Sequence, residues 1–154
     1  GKYEHPNGGS LTFAPSIPGH VEHRQLSNNS LNVMAGCFLA CTPGVNIKAK
    51  FGGLKAFFSG EGAFLLEASG SGDLFFNSFG GIVKKEINGE FIVDTGHVVA
   101  FDSSLNYSIT GMGNFKSTML SGEGLVMKFK GAGTLYLQTR NVSSVASWLT
   151  PRLL

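Results

Sequence analysis

Apolar and polar positions alternate with a period of two along most of the chain. Val45, Ile47, Ala49 and Phe51 are interleaved with Asn46, Lys48 and Lys50, and Met127 and Phe129 with Lys128 and Lys130. Alternation of this kind lays one face of a strand on a core and turns the other to water, so it predicts antiparallel strands. Turns are expected at Pro43-Gly44, residues 69–72, Asn88-Gly89, Thr95-Gly96 and residues 131–133. Asn88-Gly89 is the strongest hairpin signal, because both residues accept the positive φ of a two-residue turn. Pro15 and Pro18 belong in a loop or at a sheet edge, since neither can donate to a ladder. Only the end changes period. Val142, Val145, Ala146 and Leu149 recur at helical spacing, Asn141 or Ser143 can cap, Pro151 stops the run, and Trp148 is expected to pin the helix on the sheet.

The pattern is written more than once. Residues 51–80, FGGLKAFFSGEGAFLLEASGSGDLFFNSFG, return as residues 112–141, MGNFKSTMLSGEGLVMKFKGAGTLYLQTRN. Lys55, Gly60, Glu61 and Gly62 meet Lys116, Gly122, Glu123 and Gly124, and Gly70, Gly72 and Leu74 meet Gly131, Gly133 and Leu135, at separations of 61 or 62. A third echo, GSLTFA at residues 9–14, lies 63 residues before GDLFFN at 72–77. Leu31, Val33, Gly36, Phe38 and Ala40 likewise match Phe91, Val93, Gly96, Val98 and Ala100. Repetition at such a period means one supersecondary unit used repeatedly. The expected division is residues 1–40 as the tail of a truncated first repeat and the start of the second, 41–100 as the second repeat, 101–141 as the third, and 142–154 as helix and tail. The front half of the first repeat is expected upstream of Gly1.

Composition sharpens this picture in one respect. Charged residues make up 14% of the 154, against about 25% in an ordinary soluble domain. A chain this short needs more charge to cover its surface, so part of that surface is expected to be buried against other subunits. The net charge of +2 is too small to imply nucleic acid by bulk electrostatics. No apolar run approaches the ~18 residues of a membrane span. Cys37 and Cys41, four apart on one strand, are separated by about 13 Å. That is too far to bridge, so two free thiols and a reducing compartment are expected.

The run Gly122-Glu123-Gly124-Leu125-Val126, the strand Tyr136-Leu137-Gln138-Thr139-Arg140 and the terminal Trp148-Leu149 resemble a family of uncharacterised bacterial proteins related to a fungal mitochondrial biogenesis protein. So do Val93-Asp94-Thr95-Gly96-His97, Phe101 and Ala14-Pro15 with Pro18-Gly19. That family is classed as TRAP-like, after the tryptophan-RNA-binding attenuator protein. The resemblance implies an all-β fold of tandem short double-stranded β-helix (TRAP-like) repeats with a short C-terminal helix. It also implies a homotrimer arranged as a ring, with no enzymatic activity and no cofactor. A cytoplasmic location follows for a bacterial source and a mitochondrial one, with a role in membrane organisation, for a eukaryotic source.

Each constellation that could carry chemistry has a plainer reading. Phe91-Ile92-Val93-Asp94-Thr95-Gly96 has the form of an aspartic protease loop, in which paired carboxylates activate water. Yet Asp94 occupies the repeat position of Met34, and the plainer reading is a hairpin turned by Gly96. His20, Glu22 and His23, with the remote His97, have the composition of metal ligands, but on a strand His23 faces away from the other two. The glycine pairs precede no Lys-Ser and no helix, so they read as turns and bulges rather than a phosphate cradle. Lys55 with Glu61, and Lys116 with Glu123, are kept in both copies and are candidate contacts between units or subunits. Lys48, Lys50, Lys128 and Lys130, with Lys84 and Lys85, form basic strand faces that could meet an anionic membrane surface or RNA. The function expected is a self-assembling scaffold or interaction protein with a protein or membrane partner. A ligand- or RNA-binding ring is the alternative, and the Asp94-Thr95-Gly96 protease the least favoured.

Overall fold

The computed structural model describes residues 1–51, 64–111 and 125–153. Eight strands form one antiparallel sheet: β1 (Val21–Met34), β2 (Phe38–Cys41), β3 (Val45–Phe51), β4 (Phe64–Asn77), β5 (Ile82–Asp94), β6 (Val98–Asp102), β7 (Asn106–Gly111) and β8 (Leu125–Gln138). Short 3-10 turns, Ala35–Cys37 and Thr95–His97, join β1 to β2 and β5 to β6. Among the described residues one α-helix, α1 (Val142–Leu149), follows β8.

The order of elements runs twice, and so does the pairing. Along one edge of β4 lies β1, and on the other edge β3 and β2 divide its length. Likewise β5 runs along β8, with β7 and β6 opposite. The registers superpose: Arg24 faces Leu74 where Lys85 faces Leu135, and Val33 faces Leu66 where Val93 faces Met127. The offset between copies changes from 61 to 60 at Asn28, the extra residue of a β-bulge in β1. Asn28 has a left-handed φ of 57° and donates from its amide to Ser71 Oγ at 3.0 Å. Among non-glycine residues asparagine accepts that conformation best.

Three of the expected turns are strand interiors. Residues 69–72 lie within β4, Asn88-Gly89 within β5 and residues 131–133 within β8, where Gly89 pairs with Gly131. These glycines let a long strand bend rather than reverse. Gly70 and Gly131, at φ 119° and 122°, hold equivalent places where the short third strand of each unit comes in. A Cβ on Gly70 would collide with the carbonyl of Gly44, so the close approach also requires glycine. The turn at Pro43-Gly44 is present. Thr95-Gly96 turns the chain too, but as a 3-10 corner and not a hairpin, because β5 and β6 pair with opposite edges of β8 and not with each other.

Each unit has its own core. Leu26, Leu31, Val33, Val45, Ala68, Leu74 and Phe76 form one, and Ile87, Leu105, Met127, Phe129 and Leu135 anchor the other. Val99, Ala100 and Tyr136 of the second unit complete the first core, while Leu65 of the first unit joins the second. The segment at 9–14, a third echo in sequence, forms no strand. Leu11 and Phe13 are exposed, with Phe13 edge-on to Phe75 at 5.6 Å.

Candidate assembly interface

The most elaborate polar construction in the described residues is the seam between the two units. Its backbone part is short: β1 pairs with β6 through Leu31 to Asp102, Asn32 to Phe101 and Val33 to Ala100. Side chains extend it. Arg24 on β1 donates from Nη1 to the Tyr136 hydroxyl at 2.7 Å and from Nη2 to Asp102 Oδ1 at 3.1 Å. The other oxygen of Asp102 accepts the Thr134 amide at 2.8 Å. Burial alone would lower the Arg24 pKa, but the Tyr136 hydrogen bond and the Asp102 carboxylate outweigh it, and the net shift is upward. A guanidinium suits this place because its fixed fork reaches two acceptors at once. Ser30 donates to Ser103 Oγ at 2.7 Å, and Lys84 meets Glu22 at 2.5 Å.

A second seam, made of backbone, joins the ends of the units. The His20 amide donates to the Gly80 carbonyl at 2.9 Å and Gly80 N to Pro18 O at 3.0 Å. One unit further on, Thr139 N donates to Gly81 O at 3.0 Å and Arg140 N to Phe79 O at 3.2 Å. These two joints bring three segments, 18–20, 79–81 and 139–140, side by side. Ser78, fully buried, donates to Gly80 O at 2.8 Å and satisfies the first of them. Gln138 holds the second, accepting the Phe79 amide at 2.9 Å and donating to Gly96 O at 2.7 Å.

Among the described residues, the ends of the sheet carry the same edges without their partners. Strand order is β2-β4-β1-β6-β8-β5, so β2 and β5 are terminal. Residue for residue, β2 is the counterpart of β6, and the end of β5 that of β1. All of 98–101 in β6 is buried, whereas every residue of β2 is half-exposed. Asn32 is 3% exposed in the seam, and its counterpart Ile92 is 58% exposed.

The residues singled out from sequence fall differently. Lys55, Glu61, Lys116 and Glu123 lie outside the described residues. The basic face is largely neutralised: Lys128 and Lys130 share the Glu90 carboxylate at 2.7 and 2.6 Å, and Lys50 meets Glu67 at 3.0 Å. Glu90 is held down to about 2 by its hydrogen bonds from Lys128 and then Lys130. Lys48 is exposed beside Glu67, and Lys85 lies 5.0 Å over the Phe91 ring. Asp94 caps the 3-10 corner, accepting the Gly96 amide at 2.7 Å. His23 meets Asp73 at 2.8 Å and stacks on Phe75, while His20 lies 3.6 Å from Glu22. His97 Nδ1 donates to the Gln138 carbonyl at 2.8 Å, which fixes its tautomer. Among the described residues no group of three or more His, Cys, Asp or Glu converges as metal ligands would. Cys37 and Cys41 are both free, and burial pushes the Cys37 thiol up to about 11.

The helix departs from expectation. Asn141 caps it, accepting from Ser143 N and Ser144 N, but none of its residues is buried. Trp148, 59% exposed, does not pin it to the sheet; Arg152 stacks on the indole 4.4 Å from its centre instead. No helix in the described residues is long and apolar enough to cross a membrane. The seam residues Arg24, Asp102 and Tyr136 were missed. Their signal was divergence between copies, since Asp102 and Tyr136 replace Thr42 and Phe75 at matching positions.

Fold and seam together define an all-β protein of two like units, joined edge to edge. The family model for mitochondrial biogenesis AIM24 matches residues 2–140, and the chain belongs to that family. An uncharacterised protein of Streptococcus pyogenes serotype M6 is 33% identical over 144 residues, covering 92% of this chain. A crystal structure of a protein from Streptococcus pyogenes superposes with a TM-score of 0.80 at 32% identity, again over 92% of this chain. The chain spans 58% and 63% of the lengths of these two relatives.

Proposed function

We propose that this protein is a non-enzymatic scaffold or interaction module that works by associating with itself, as a homo-oligomer of TRAP-like units and most simply a trimer. The observation that carries the reading is the contrast between Asn32, 3% exposed inside the seam, and Ile92, 58% exposed at the free end. A large aliphatic side chain on an unpaired strand edge is a liability unless something covers it. Asp94, engaged in capping a turn, lends no support to a protease. The pairing of Lys50, Lys128 and Lys130 with carboxylates weakens the case for an RNA-binding face, so protein contact is preferred to nucleic acid. An anionic membrane surface stays a secondary partner, with mitochondria as the compartment for a eukaryotic source and cytoplasm for a bacterial one.

Light-scattering mass across a concentration series tests this reading. A mass that rises to a defined multiple of 16.3 kDa is expected. A constant monomer mass at every concentration contradicts it.

A further inference from the structure

We propose that the cleft between the β5–β6 corner, the segment leaving β8 and α1 binds a small monocarboxylate with an apolar body. Its carboxylate would sit on Arg140 and its body against Val145 and Trp148. The site stands apart from the self-association proposed above, and either can fail without the other.

The cleft forms because the chain leaves β8 and turns back toward the corner. Asn141 caps α1 through Ser143 N and Ser144 N, and its side-chain amide also lies against Gly96, where a Cβ would collide with it. One residue therefore ties the helix to the corner. Between them lies a cleft of about 280 Å³, with His97, Arg140, Ser144, Val145 and Trp148 in its walls. All of the walls come from residue 97 and residues 139–148, so the cleft is complete within the described chain. Ligand sites run from about 300 to 1,000 Å³, and this one suits a small molecule.

Arg140 gives the cleft its sign. Its stem packs on Gly80 and its guanidinium lies 5.8 Å from the centre of the Phe79 ring. It is thus held in place, yet among the described residues no carboxylate pairs with it. A guanidinium takes a carboxylate through two parallel hydrogen bonds. Among the described residues no Asp or Glu lines the cleft, so the ammonium of a free amino acid would find no partner there. Val145 and Trp148 are 38% and 59% exposed, and an apolar body laid on them removes that surface from water. The His97 ring, fixed by its bond to the Gln138 carbonyl, supplies a further rigid wall.

The sister unit shows that the fold does not require these groups. On the alignment of the two units, Cys37 stands for His97 and Phe79 for Arg140. A Cβ on Gly36, the counterpart of Gly96, would meet nothing within 4 Å. The cation and the helix tied to the corner belong to the second unit and not to the first.

Trp148 is the one tryptophan of the chain, so its fluorescence reports on the cleft directly. Titration with 3-phenylpropionate should change that emission along a saturating curve with a Kd of about 1 mM or tighter, and calorimetry on the same samples should give the same constant. Arg140→Gln, at an exposed position, should weaken binding about tenfold or more. Lys85→Gln, which does not line the cleft, should leave it unchanged. 3-Phenylpropionamide lacks the charge, phenylalanine adds an ammonium and acetate lacks the apolar body; each should bind about tenfold more weakly or worse. Absence of saturable binding by both methods up to about 20 mM overturns the proposal. Equal binding by R140Q, or of the amide or phenylalanine, overturns it too, and equal binding of acetate reduces the cleft to a simple anion site and does the same.

Discussion

Two strand edges of the same design sit in opposite circumstances. At the centre of the sheet, residues 31–33 of β1 meet β6 and are buried; at its end, residues 91–93 of β5 keep the same backbone path and register on β8 but face no strand among the described residues. The difference lies outside the units. It shows that burial here is set by what stands next to a unit, so each unit alone is half finished. The side chains have drifted accordingly. Where a neighbour is built into the chain, the edge has acquired Arg24, Asp102 and Tyr136 as a fixed polar clamp; where it is not, the positions hold Lys85, Thr42 and Phe75.

The largest effect should come from making one substitution in both copies. Val33→Ala removes two methyls from a fully buried site and should cost about 2–3 kcal/mol in denaturant unfolding, whereas Val93→Ala, half-buried, should cost about 1 kcal/mol or less. Equal losses in dilute solution would erase the distinction between the edges. Next in size, Arg24→Met leaves the partly buried Asp102 without its cation and should cost about 1–2 kcal/mol, discounted for partial exposure. Lys85→Met at the matching position should lie within about 0.5 kcal/mol of wild type. A smaller difference concerns pH. Because Glu90 is held down to about 2, against an ordinary 4.5, its share of stability is complete above the ordinary value and is lost as pH falls toward 2. NMR titration should show that low midpoint, and Lys128→Met should raise it; a midpoint already near the ordinary value would remove the Glu90 bridge between β5 and β8.

Much of the fold was legible because period-two patterning and a repeat are local properties of sequence. The repeat marked β4 and β8 as equivalent strands, though the division at residues 40 and 100 separates β2 from β3 and β6 from β7, and Asn141 with the spacing of Val142, Val145 and Leu149 located the helix. The glycines misled for a physical reason. Asn88-Gly89 satisfies the φ demands of a hairpin, but the same freedom serves a bend inside a long strand, and only the partner at Gly131 decides which. The seam was not legible. Arg24 lies 78 residues from Asp102 and 112 from Tyr136, and no short spacing records such contacts. Alternation shows the lysines of β3 and β8, but Glu90 and Glu67, which pair with Lys128, Lys130 and Lys50, sit on neighbouring strands that alternation cannot assign.

Amide hydrogen exchange, followed at several protein concentrations, tests the central contrast most directly. In dilute solution, peptides covering 31–33 and 99–102 should exchange orders of magnitude more slowly than those covering 38–41 and 91–94. On concentrating the protein, residues 91–94 should slow as copies associate while the inner pair stays unchanged. Outer segments as protected as inner ones at the lowest concentration, or no response of residues 91–94 on concentrating, would contradict the account.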